Sequence, residues 1–142
     1  MTNWVLYEQH DEVVQRIDHW VDIVKGELGE FPSFVSFYKQ MSDAGNFKIF
    51  EDEDGKAMFA FMVIDDMRGG TAFCEAFMYI LPEARGSLGL FKSMIKNVES
   101  YARKLGCQSI EIGANAGYRD EKTLDILRRF FGYKSYSVWK EF

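Results

Sequence analysis

An α/β fold, with a central mixed β-sheet flanked by helices, is what the sequence predicts. Three observations lead to it. Apolar residues recur at helical spacing in four separate segments. Between the first pair and the second lie apolar strand-like runs divided by Asp/Gly turns. After that meander, helix and strand alternate to the end, which makes the sheet mixed. The 142 residues suit one core, so 1–142 is expected to be a single domain.

The elements follow in order. Asp11 can cap a helix on which Val13, Val14, Ile17, Trp20, Val21 and Val24 share one face, with Gly26 and Gly29 suited to its end. Pro32 favours a second helical start, and Phe34, Phe37, Tyr38 and Met41 fall together on its face until Ala44-Gly45-Asn46 ends it. Phe47 to Glu51 reads as a strand. Asp54-Gly55 is a hairpin pair, and Lys56 to Ile64 is a long apolar strand. Asp65 to Gly70 makes a second turn, and Thr71 to Leu81 returns as a third strand before Pro82 stops it. Phe91, Met94, Ile95, Val98, Tyr101, Ala102 and Leu105 form one face of a strong helix that Gly106 closes. Ser109 to Ile112 is a short strand, and Glu121 to Phe131 a helix capped by Asp120 and ended by Gly132. Tyr133 to Phe142 reads as a last strand. A further short strand at Trp4 to Tyr7 is left open.

Composition removes several function classes. Hydrophobic residues make up 47%, which favours a packed interior over a disordered chain. A net charge of -5 argues against a general nucleic-acid binder and is compatible with a cationic amine partner. Cys74 and Cys107 lack metal-ligand spacing, and His10 and His19 are isolated, so no metal site is expected. The first residues carry no signal-peptide pattern, and the longest apolar run, Ala57 to Ile64, is too short to span a bilayer. A soluble cytoplasmic protein, monomer or homodimer, with two free thiols is expected.

Tyr79-Ile80-Leu81-Pro82-Glu83-Ala84-Arg85-Gly86-Ser87-Leu88-Gly89-Leu90-Phe91 holds the most chemistry. A strand runs into a small-residue turn, and the turn opens a helix. Backbone N–H groups at a helix N-terminus attract phosphates. Gly86 and Gly89 remove Cβ atoms from the approach, and Arg85 adds a positive charge. An ordinary strand-to-helix turn would also use these residues.

The same segment resembles the acyl-CoA-binding signature of the GNAT acyl-CoA N-acyltransferase superfamily. Lys104-Leu105-Gly106-Cys107 matches that family's usual helix end, and Phe130-Phe131-Gly132-Tyr133 its aromatic-Gly-aromatic step. The resemblance runs from Phe59 to Phe142, and the Arg-Gly-Ser-Leu-Gly-Leu form looks most like the short members that phages encode. It departs from the pattern as well. Counted from Arg85, Leu88 and Leu90 stand at the family's small-residue positions. Arg128 stands where many members have a tyrosine that protonates the leaving thiolate, and Glu121 where an Asn is frequent.

The resemblance implies acetyl transfer from acetyl-CoA to a primary amine of a small molecule or a protein. It implies that the pantetheine arm enters where the central strands splay, pairing with backbone groups of Tyr79, Ile80 and Leu81. It places the pyrophosphate on the turn from Arg85 to Leu90, through Gly86, Ser87, Leu88 and Gly89. It sets the thioester at a strand bulge, and it seeks a carboxylate base on the strand before the turn. Glu75 is the only charged residue between Thr71 and Leu81. Strict alternation puts it on one face with Phe73, Phe77 and Tyr79, where its pKa would rise. A solvated or salt-bridged Glu is the plainer alternative. Tyr118 and Tyr136 are candidates to replace the missing tyrosine. Asp65 and Asp66 suit either an acceptor pocket or a turn, and acceptor contacts are expected from Asp11 to Met41. The competing reading is a GNAT-fold binding or assembly module that has lost catalysis; a weaker one is an aromatic protein-binding surface.

Overall fold

The computed structural model describes residues 3–30, 32–86, 88–113, 121–135, 140 and 142. The order is β1 (Trp4–Tyr7), α1 (His10–Leu28), α2 (Pro32–Asp43), β2 (Lys48–Asp52), β3 (Ala57–Asp65), β4 (Thr71–Ile80), α3 (Leu88–Lys104), β5 (Ser109–Glu111) and α4 (Glu121–Phe131). The five strands form one sheet in the order β1-β2-β3-β4-β5. β1 to β4 pair antiparallel, and β5 joins β4 in parallel, so the sheet is mixed as expected. Among the described residues no helix is long and apolar enough to cross a membrane.

β3 explains why the central strands read as unbroken apolar runs. Met58 and Ala60 face a cluster with Val13, Ile17, Trp20 and Val24 of α1. Ala57, Phe59 and Phe61 face a second cluster, with Phe91, Met94, Ile95 and Val98 of α3 and Leu127 of α4. Helices cover both faces of β3, so both sets of alternate residues are apolar. The aromatic content goes largely into the α3 side, where the Phe61 and Phe73 rings stack with centroids 4.3 Å apart.

One irregularity shapes β4. Phe61 lies opposite Glu75 and Ala60 opposite Phe77, so Ala76 has no partner on β3. This is a β-bulge. It overturns the expectation that Phe73, Glu75, Phe77 and Tyr79 share a face. Phe73 belongs to the α3 cluster, whereas Ala76, Phe77 and Tyr79 belong to the α1 cluster. The extra residue reverses the alternation at that point.

Smaller departures have simple causes. Asp11 lies in the first turn of α1 rather than at its cap, which is Gln9 without a side-chain bond; its charge still suits the helix N-terminus. On α2, Val35, Tyr38 and Met41 pack inward while Phe37 is 44% exposed, so the buried stripe is rotated from the one expected. The Phe34 side chain lies outside the described residues. The carboxylate of Asp66 accepts from the Arg68 backbone N–H at 2.9 Å and from its guanidinium, which is the turn role. Gly132 to Ser135 carry no strand, and residues 136–139 of the expected last strand lie outside the described residues.

Phe73 is fully buried, so Phe73→Ala is expected to lower the unfolding free energy by about 3–5 kcal/mol in urea titration. Met67→Ala, at a fully exposed turn position, is expected to change it by less than about 0.5 kcal/mol.

Candidate active site

The bulge and the end of β5 meet at Glu75. β5 pairs with β4 only at Ala72, Phe73 and Cys74. From Glu75 onward, β4 has no β5 partner among the described residues, because β5 ends at Glu111. Glu75 stands at that fork with 8% of its surface exposed. Its Oε1 accepts the Gly113 N–H at 2.7 Å.

Burial dominates the Glu75 electrostatics. Removal from water lifts its pKa to about 7, against the smaller pull of the Gly113 hydrogen bond. The expected rise is present, and it comes from depth rather than from a neighbouring charge. A carboxyl poised near neutrality can accept a proton at physiological pH. Tyr38 of α2 lies close by: its hydroxyl donates to the Ala76 carbonyl at 3.1 Å. Burial raises the Tyr38 pKa, and the Glu75 charge adds to the effect.

The other half of the site is the strand-to-helix turn. A short 3-10 turn at Pro82–Ala84 links β4 to Arg85 and Gly86, and α3 starts at Leu88. Gly86 has no positive φ, and a Cβ built on it meets nothing within 4 Å. Neither backbone nor packing requires glycine there, and the absent Cβ leaves this backbone open to close approach. Leu88 and Gly89 are exposed, and Leu90 is half-buried against the α3 cluster. Ser87 and Tyr118 lie outside the described residues, as does Tyr136.

Two expected binding groups are already engaged. The Arg85 guanidinium pairs with both oxygens of Glu27, at 2.9 and 2.8 Å. Its Nε donates to the Ile80 carbonyl at 2.8 Å, and its face lies 5.1 Å from the Tyr79 ring centre. Arg85 therefore braces β4 against α1, with much of its charge compensated. Leu81 donates its N–H to Lys56 and accepts from Ala84, each at 2.9 Å, so its backbone serves the turn. Tyr79 is buried beneath α1, and Ile80 is half-buried on the other face. With Arg85 engaged, the groups at this turn that remain suited to an anion are the N-terminus of α3 and the Gly86 backbone.

Sequence reasoning missed Tyr38, Glu27 and Gly113. Glu27 carried a signal: a carboxylate in the last turn of a helix opposes the dipole and calls for a cation. Tyr38 was legible as a packing residue but not by its hydroxyl, and Gly113 acts through its backbone, which no side chain announces. Arg128, at the family's tyrosine position, donates to Ser135 Oγ at 2.8 Å. A groove lies between α1 and α2, with Asp18, Asp22, Lys25 and Lys39 on its walls, and no residue of β4 or the turn lines it. Two of its acids are bridged to lysines, Asp22 to Lys25 and Asp18 to Lys39, and none of its lining carboxylates is as deeply buried as Glu75.

The raised Glu75 pKa has a sign for stability. The folded protein keeps this proton to higher pH than the unfolded chain, so stability falls as pH rises from about 4.5 to about 7. Glu75→Gln, which keeps an acceptor for Gly113, is expected to be more stable than wild type by up to about 3 kcal/mol at pH 8. The two are expected to converge at pH 4, as read by denaturant titration at both values.

Comparison with known proteins supports the fold. No protein-family model matches the chain, and no curated protein matches it. Solved structures do. A predicted acetyltransferase with acetyl-CoA from Clostridium acetobutylicum aligns at TM-score 0.66 and 16% identity, over 100% of this chain and 96% of that one. An aminoglycoside acetyltransferase from an uncultured soil metagenomic sample, in complex with sisomicin, aligns at TM-score 0.71 and 12% identity over 99% and 95%. A ribosomal-protein-alanine N-acetyltransferase from Brucella melitensis biovar Abortus 2308 aligns at TM-score 0.65 and 13% identity over 100% and 97%. With its mixed five-stranded sheet flanked by helices, this chain has the GNAT acetyltransferase fold.

Proposed function

We propose that the chain transfers an acetyl group from acetyl-CoA to a primary amine, of a small molecule or a protein, by direct attack. The observation that carries this reading is Glu75, a buried carboxyl with a pKa near 7 at the point where β4 and β5 part. The named reactions of the structural neighbours, on an aminoglycoside and on a protein alanine, are both acetyl transfers.

In this mechanism the fork takes the pantetheine arm and the N-terminus of α3 takes the pyrophosphate. Glu75, ionised, removes a proton from the incoming ammonium, directly or through a water. The neutral nitrogen attacks the thioester carbon, and backbone N–H near the strand bulge meets the developing oxyanion. The carbon–sulfur bond breaks, the nitrogen releases its surplus proton to solvent as the amide forms on the acceptor, and the thiolate leaves as CoA. Tyr118, five residues along the chain from Gly113, is the proposed donor of its proton. Holding both substrates in register supplies much of the acceleration. Ser87, Leu88, Gly89 and Leu90 belong to the proposed phosphate turn, with Arg85 as its brace.

The compensated Arg85 favours a second reading, a binding module of the same fold without turnover. Calorimetry with acetyl-CoA followed by thiol release with an amine panel separates the two. Gly86→Glu is expected to leave the melting temperature unchanged and to weaken acetyl-CoA at least about tenfold, because it sets bulk and negative charge at the helix N-terminus. Glu75→Gln is expected to keep that affinity and lower kcat/KM about 100-fold or more. The wild-type rate is expected to rise with pH through about 7. Cofactor binding with no thiol release for any amine would select the binding module, and no binding at millimolar acetyl-CoA would sink both.

A further inference from the structure

The groove between α1 and α2 takes no part in the reaction outlined above. It encloses about 860 Å³. The two helices run antiparallel, since His10 meets Asp43 at one level and Asp18 meets Lys39 further along. One end of the groove lies at Glu30 and Pro32, the other at His10 and Asp43. The 12 residues of α2 make that span about 18 Å. Val14 and Val21 of α1 and Val35 of α2 line the groove and are only partly buried. Val14 and Val21 stand two helical turns apart, so the floor is apolar over that length.

Charge around this floor is lopsided. Residues 10–43 carry seven Asp and Glu against three Lys and Arg. All three cations are engaged: Arg16 with Glu51 of β2, Lys25 with Asp22, and Lys39 with Asp18. The middle of the groove is thereby balanced, and its ends are not. Among the described residues no Lys or Arg lies within ion-pair distance of Glu30 or of Asp43, which has the His10 ring at 3.7 Å. An apolar floor between two helices suits the apolar face of a third, and acidic ends select a cationic one. We propose that this groove docks an amphipathic helix of a partner protein, apolar on one face and carrying Lys or Arg about three turns apart to meet Glu30 and Asp43. A second copy of this chain does not supply it. α3 has suitable charges in Lys92, Lys96, Arg103 and Lys104, but its apolar face is buried in its own core. No residue of β4 lines the groove, so the docked helix is not the acetylated group, and the inference stands apart from the acyltransferase reading.

Three synthetic peptides of about 18 residues test this on the full chain. The first places leucines along one helical face and lysines on both flanks. The second replaces the lysines by glutamates, and the third scrambles the first so that no apolar face forms. The chain has nine valines, few enough for 15N-valine NMR to follow Val14, Val21 and Val35 individually. The lysine peptide is expected to bind with a Kd below about 100 µM and to shift those three amides most. The glutamate and scrambled peptides are expected to bind at least about tenfold more weakly. Glu30→Lys combined with Asp43→Lys, both at exposed positions, is expected to melt within about 5 °C of wild type and to bind the lysine peptide about tenfold more weakly. Ser36→Trp, which fills the groove from an exposed position, is expected to do the same. Equal binding of the scrambled peptide would mean attraction to acidity alone and overturns the inference. So does an absence of binding at millimolar lysine peptide, or a response centred on other valines. Concentration-dependent shifts of the same three valines without peptide would put a second copy in the groove and overturn the assignment to a partner.

Discussion

One extra residue in one strand organises this molecule. Without Ala76, β4 would be an evenly alternating strand. With it, the alternation reverses in mid-strand, so that Phe73 packs under α3 and Phe77 under α1. The bulge also stands where β5 ends, so that among the described residues β4 has no partner on that side beyond Cys74. Glu75 sits immediately before the irregularity. Its carboxyl is buried because the strand is central, and the neighbouring strand ends beside it.

Two electrostatic arrangements frame the fork, and they differ in kind. Glu75 has one amide donor, and burial alone drives it toward neutrality. Glu27 and Arg85 are partly exposed and paired through two hydrogen bonds, which hold the Glu27 carboxyl below its usual range. The first group is tuned by the absence of water and the second by the presence of a partner. Salt should weaken the second far more than the first, because exposed pairs are screened and buried groups are not.

Much of this was legible in the chain. Periodicity located α1, α3 and α4 because each has one wet face and one dry face. Asp54-Gly55 and Gly69-Gly70 located the hairpins because those turns need residues that tolerate positive φ, as Gly55, Gly69 and Gly70 show. Glu75 stood out as a lone charge in an apolar strand. The bulge did not, since β4 is apolar on both faces and a reversal of apolar with apolar leaves no trace. The Arg85–Glu27 brace joins residues 58 positions apart, and only the fold brings them together. The stripe of α2 was misplaced because Phe37 is as apolar as its buried neighbours, and hydrophobicity alone does not say which of them meets the sheet.

The parallel pairing of β5 has a consequence for how the protein assembles. β2, β3 and β4 are joined by hairpins and can pair early, since their partners are close along the chain. β5 reaches β4 only after α3 has crossed the sheet, bringing Glu111 beside Cys74. Gly113, which grips Glu75, follows directly on that late strand. The meander alone would leave Glu75 without its amide donor and expose an apolar strand edge able to pair with another chain. Glu75 thus reaches its final surroundings only with the last pairing of the sheet, so a nascent or partly unfolded molecule does not yet hold that carboxyl in its buried, amide-bonded state.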